Sequence, residues 1–89
     1  MINPVVYILK SIKNGRYYIG STGNIERRLE EHNAGKVYAT SRTRPWSLEI
    51  FISCSNPTEA KQCEYRLKKY KRRDIVEKVI KDGIFPWNH

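Results

Sequence analysis

Two tyrosine-bearing strings whose tyrosines lie eleven residues apart, Val5-Val6-Tyr7 and Tyr18-Ile19-Gly20, flank an Asn14-Gly15 pair. Nothing else in the chain constrains its fold as strongly. β-branched and aromatic residues favour a pleated surface, and Asn-Gly is the strongest short-range hairpin signal. The two strings therefore predict adjacent antiparallel strands. With Asn14 and Gly15 as the central residues of a two-residue turn, Ser11 falls opposite Tyr18. Side chains alternate along a strand, so Tyr7 and Tyr18 then share one face. Two phenols on one face, followed at once by a basic helix, mark a candidate site.

The remaining pattern predicts an α+β domain, a small three-stranded antiparallel sheet flanked by helices in the order β-β-α-β-α-α. Strands are expected over residues 4–10, 16–20 and 46–53, the last around the apolar run Ile50-Phe51-Ile52. Ser21 to Asn24 supply caps for a helix over 25–34, which Gly35 ends. Residues 36–45 read as a polar, basic loop. Asn56-Pro57-Thr58-Glu59 combines an N-cap, a proline at the first helical position and a glutamate at the third. That helix is expected to reach Tyr70, and a shorter one over 74–82 to close at Gly83. Residues 1–83 then form a single domain and 84–89 a C-terminal tail.

Charge narrows the partner. Lys and Arg total 17 against 9 Asp and Glu, a net charge of +8. A field that large on 89 residues favours a polyanion. No apolar run approaches the roughly 18–20 residues that span a bilayer, and the N-terminus lacks a signal-peptide layout. Nucleic acid in the cytoplasm is the expected setting, with no membrane role. Cys54 and Cys63 lack Cys-x-x-Cys spacing, and His32 and His89 do not complete a zinc set with them. Both cysteines are expected as reduced thiols, Cys63 as a small buried hydrophobe.

Helical spacing sorts the candidates. Ile25 and Leu29 face the sheet, whereas Arg28 and His32 share a second stripe. Arg28 reads from the residues alone as part of a solvated basic helix with Arg27 and Glu31. His32 reads either as a surface residue or as a phosphate or proton-transfer contact. Ala60, Cys63, Leu67 and Tyr70 form a buried stripe, with Glu64 at its margin and in i,i+4 position to Lys68. Tyr17, Tyr38, Tyr65 and Tyr70 are expected to serve packing.

Tyr7 with Tyr18-Ile19-Gly20, Arg28 downstream and Glu59-Ala60-x-x-x-Glu64 resemble the GIY-YIG nucleases over residues 4–81. Within that family the chain resembles a small single-domain bacterial member, itself similar to the N-terminal domain of the excision-repair incision subunit. The first motif reads Val5-Val6-Tyr7 where the family has Gly-Ile-Tyr. The resemblance implies a metal-dependent endonuclease acting on nucleic acid, with DNA the expected polymer. It implies Tyr7 as general base, Tyr18 positioning water or phosphate, and Arg28 on the scissile phosphate. It also implies Glu64 as the sole protein ligand of Mg²⁺ or Mn²⁺, with His32 assisting. The clusters Lys36, Arg42, Arg44 and Lys68, Lys69, Lys71, Arg72, Arg73 are expected to contact phosphates. No sequence-reading module accompanies them, so specificity is expected to be low or supplied by a protein partner. The alternative is a non-catalytic nucleic-acid-binding module that keeps the fold.

Overall fold

β1 (Val5–Ser11) and β2 (Tyr17–Thr22) pair as the expected hairpin, but through a wider loop. The computed structural model describes residues 3–88. In it the Ser11 N–H donates to the Arg16 carbonyl, leaving 12–15 as a four-residue loop. This corrects the two-residue turn. The reason is local: Ser11 Oγ accepts from the N–H groups of Lys13 and Asn14, and Asn14 Oδ1 accepts from Arg16 N–H. Gly15 alone takes a left-handed conformation, with φ of 75°. Leu9, rather than Ser11, therefore faces Tyr18. The register moves by an even step, so Tyr7 and Tyr18 remain on one face as expected.

β3 (Trp46–Ser53) pairs antiparallel with the other side of β1, giving the order β2-β1-β3. Its register slips where Ile8 pairs with Ile50 and Leu9 with Leu48. Glu49 is the extra residue of a bulge, and the bulge exchanges the faces of the strand. Trp46 and Leu48 thus join Tyr7 and Leu9, while Ile50 and Ile52 join Val6 and Ile8 on the opposite side.

Each face is covered by helix. α1 (Ile25–Asn33), capped by Asn24 Oδ1 on the Arg27 N–H, packs Ile25 and Leu29 against Tyr7, Leu9 and Trp46. α2 (Pro57–Lys68) and α3 (Arg73–Asp82) bring Ala60, Leu67, Val76 and Val79 to the other face. Asn56 caps α2 as expected, and Gly83 closes α3 at φ of 75°. The element order is the expected β-β-α-β-α-α of an α+β domain. Phe85, beyond α3, is buried in the same core. α2 stops at Lys68 rather than Tyr70.

Three tyrosines depart from the packing expected of them: Tyr38, Tyr65 and Tyr70 are 93%, 64% and 37% exposed. Tyr38 opens a short 3-10 turn (Tyr38–Thr40) that directs Thr40 inward instead. Tyr65 carries the Lys69 ammonium on its ring, and Tyr70 stacks against Trp87. Among the described residues no helix is long and apolar enough to cross a membrane.

Candidate active site

Tyr7 is the centre of the α1 face. It lies on the central strand, opposite Gly20 on β2, and is 1% exposed. Its ring crosses β2 over that glycine. A Cβ at position 20 would stand 2.5 Å from the Tyr7 hydroxyl and 2.6 Å from Cζ. The glycine after Ile19 therefore gives the phenol its room, and the hydroxyl projects toward the free edge of the sheet, where β2 lies.

His32 is wholly buried, which removes the surface alternative. Nine residues of α1 bring it beneath the tyrosines, and its ring packs edge-on at 5.0 Å from Tyr18 and 5.7 Å from Tyr7. Nε2 lies 2.8 Å from the Tyr7 hydroxyl and Nδ1 2.7 Å from Thr40 Oγ1. Thr40 Oγ1 donates to the Val37 carbonyl, which leaves its oxygen to accept from Nδ1–H. That assignment, made from the network, leaves Nε2 to accept from the Tyr7 O–H. Burial, aided by the charge of Arg28, pushes the His32 pKa down to about 4, so the imidazole is neutral. Burial pushes Tyr7 up to about 12, and the nearby charges of Tyr18 and Glu64 act in the same direction. The Arg28 guanidinium beside the same phenol opposes them.

Arg28 and Glu64 approach from opposite layers. Arg28 is held by Glu31 at 3.1 Å and lies beside Tyr7, whereas Arg27 on the same helix is 66% exposed. Glu64 sits on α2, across the sheet, against the β2 edge strand. Ser21 Oγ on β2 donates to its Oε1 at 2.6 Å, and Lys68 Nζ to its Oε2 at 2.6 Å. Burial raises the Glu64 pKa, but those two bonds and the Lys61 charge outweigh it and hold the carboxylate ionised. The i,i+4 pair with Lys68 is thus formed, and the same ammonium lies 5.8 Å from the Tyr18 ring. Glu64 and Ser21 make a hard-oxygen donor set of the kind that suits small divalent cations.

The basic clusters separate. Lys68, Lys71, Arg72 and Arg73 line one cleft of about 420 Å³ with Arg16, Tyr17 and Tyr18. Arg72 is already bidentate on Asp74, and Arg73 pairs with Glu77 while stacking on Tyr17. Lys69 points to Tyr65 instead. Lys36, Arg42 and Arg44 belong to the α1–β3 connection rather than to that cleft. Arg44 packs over Gly35, where any Cβ would collide with its guanidinium. Val5, the departure from the family motif, is 3% exposed and paired with Thr22 and Ser53, so the central strand accommodates it.

Sequence reading took Ser21 only as one of the helix-capping residues, a role Asn24 fills, and did not name Thr40. Ser21 follows the Tyr18-Ile19-Gly20 string directly and points to the α2 side by alternation, which is a usable signal. Thr40 has none, because only the fold sets a loop threonine under a histidine eight residues earlier.

A family profile described as GIY-YIG catalytic domain matches residues 3–78. A protein of the UPF0213 group from Bacillus licheniformis is 38% identical over 86 residues, covering 92% of this chain and 89% of its own length. A UPF0213 protein from Staphylococcus haemolyticus is 35% identical over 80 residues, covering 89% of this chain and 96% of its own length. The structure-specific endonuclease subunit SLX1 of Candida glabrata is 37% identical over 91 residues, covering 86% of this chain but 29% of its own length. No solved structure matches the chain significantly.

Proposed function

From the premise that the chain belongs to the GIY-YIG catalytic-domain family, we propose that it is a divalent-metal-dependent endonuclease that hydrolyses phosphodiester bonds, DNA being the substrate, with low sequence specificity. One observation carries this reading. Tyr7 on the central strand lies across Gly20 with the Arg28 guanidinium beside it, and the charge of Glu64 on α2 is near enough to act on the same phenol. Cross-strand packing alone gives no reason for a buried phenol to have a guanidinium and an ionised carboxylate so near.

The protonation states favour a relay over a free phenolate. With its pKa near 12, ionising Tyr7 at pH 7 costs about 7 kcal/mol. In the relay the Tyr7 oxygen takes a proton from the attacking water while its own proton passes to Nε2 of neutral His32. Thr40 holds the imidazole in the tautomer this needs. Arg28 draws the scissile phosphate in and donates to the oxygens on which charge builds, a bidentate task suited to its planar fork. Tyr18 orients the water beside Tyr7. Glu64, with the Ser21 hydroxyl, would hold Mg²⁺ or Mn²⁺, which when bound supplies Lewis-acid stabilisation of the phosphate. Lys68, Lys71, Arg72 and Arg73 lead the strand along the adjoining cleft, and Lys36, Arg42 and Arg44 add field from the other end of α1. Specificity comes from a partner or from substrate shape, since the basic residues of these clusters are phosphate-binding types, which position a strand without reading its sequence.

The test is incubation with plasmid, branched and single-stranded DNA, with and without Mg²⁺ or Mn²⁺. Cleavage should require the cation and disappear in Glu64→Gln. Wild-type protein that binds DNA and cuts none of these substrates overturns the enzyme and establishes the binding module.

A further inference from the structure

Linear spacing hides a second cluster of metal-binding groups. Cys54 Sγ, Cys63 Sγ and a Glu59 carboxylate oxygen all lie within 4.8 Å of one another. We infer that Cys54, Glu59 and Cys63 form a second metal site, for a borderline ion such as Zn²⁺, distinct from the Glu64 centre.

Three arguments carry it. The donor set is two thiols and a carboxylate, which suits zinc-like ions and not Mg²⁺, an ion that takes oxygen and retains its waters. The donors stand on fixed backbone. Cys54 leaves β3 with its N–H bonded to the Pro4 carbonyl at 2.8 Å, and Glu59 and Cys63 lie one turn apart on capped α2. There is also an entry path, since Glu59 and Cys63 line a cleft of about 340 Å³ that continues past Phe85 and Trp87. The bland alternative is a first-turn carboxylate favoured by the helix dipole beside two small apolar thiols, Cys54 buried and Cys63, against expectation, only half-buried. Glu59 does not behave as a cap, however. Its backbone N–H is bonded to Asn56 Oδ1, but among the described residues its carboxylate makes no ion pair and no return bond to Asn56. It is half-buried and turned to the thiols instead.

Binding needs both thiols as thiolates, so one ion displaces two protons and keeps a fourth position for water. Cys63 immediately precedes Glu64. An ion here would therefore brace the turn of α2 that presents the catalytic carboxylate, without touching it.

The experiment is titration of the reduced full chain with Co²⁺ under anaerobic conditions, read by thiolate-to-cobalt charge-transfer absorption. One equivalent should produce that band with the ligand-field intensity of a four-coordinate ion. Zn²⁺ should abolish it and excess Mg²⁺ should not. Cys63→Ser should lose the band. Glu59→Gln should weaken cobalt affinity by more than the roughly 10–100-fold typical of an outer-shell partner. Glu64→Gln should leave both unchanged. Cys63 and Glu59 are chosen over the buried Cys54 because their variants should fold, which circular dichroism without metal checks. Absence of the band, its survival in Cys63→Ser, or its loss in Glu64→Gln overturns the site. So does a Cys54–Cys63 disulfide whose reduction yields no cobalt binding.

Discussion

Gly20→Ala is the sharpest test of the Tyr7 geometry. The added methyl would meet Tyr7 Oη at 2.5 Å, where ordinary contact begins at 3.4 Å, so the ring must retreat by roughly 1 Å. It has nowhere easy to go. The strand beneath it is paired on both sides, and its hydroxyl is tied to His32 at 2.8 Å. Overpacking costs about 1–3 kcal/mol. Stretching the Tyr7–His32 bond in a buried site costs about 1–3 kcal/mol more. Replacing a strand glycine returns roughly 0.5–1 kcal/mol. The net expectation is a loss of about 1–5 kcal/mol, at roughly 4–8 °C in Tm per kcal/mol for a domain of this size. A 1 Å displacement of the reacting group should also lower single-turnover cleavage by about 10²-fold. Urea denaturation at unchanged m-value and a quench-flow cleavage assay measure the two effects. Gly23→Ala is the control, since a Cβ there meets nothing within 4 Å. If Gly20→Ala keeps wild-type stability and rate, Tyr7 does not lie across the glycine and the relay collapses with it.

His32 predicts an acid limb of stability. Its imidazole titrates near 6.5 when unfolded and about 4 when folded, so the unfolded chain binds the extra proton between those values. The contribution is complete above about pH 6.5, fades as pH falls through 4, and amounts to at most about 3 kcal/mol. Denaturation midpoints across that window should flatten in His32→Gln; an unchanged slope removes the buried neutral imidazole. Arg28→Ala should cut single-turnover cleavage by about 10² or more while DNA affinity changes only a few-fold. Arg27→Ala should do far less, and equal effects would show that the two arginines share a merely electrostatic role. Lys68→Gln frees one oxygen of Glu64, so half-maximal activity should need several-fold less Mg²⁺; a higher requirement would mean that Lys68 serves the substrate rather than competing for the carboxylate. Affinity for a short duplex should fall by orders of magnitude from low to moderate salt, and a flat response contradicts the polyanion reading.

The elements were readable where local chemistry decides them. Asn56-Pro57 and Gly83 mark helix ends by rules that need no tertiary context, and both stand. The hairpin was readable in kind but not in loop length, because Ser11 Oγ competes with the Asn-Gly turn for backbone donors. The shared face of Tyr7 and Tyr18 survived only because parity, not register, controls it. His32 admits both a surface and a site reading in sequence, because its buried partner is Thr40, a residue the 3-10 turn brings under the helix. The Cys54, Glu59 and Cys63 cluster was invisible because it joins a strand end to a helix face. Tyr38 and Tyr65 show the converse limit: aromatic residues carry no address, and these two ended in solvent.

The position of Tyr7 in the middle strand, with Arg28 and Glu64 on helices of opposite layers, divides the site by local stability. β1 is hydrogen-bonded along both edges, so its amides should be the last to exchange with solvent. α1 and α2 each have a single side against the sheet and can open at lower free energy. Partial opening of α2 withdraws Glu64 and leaves the buried phenol where it was, whereas opening of α1 takes away Arg28 and His32 together and uncovers Tyr7. Warming should therefore disarm the protein in two independent ways before the sheet itself gives out, and a ligand that bridges both helices would slow exchange in each.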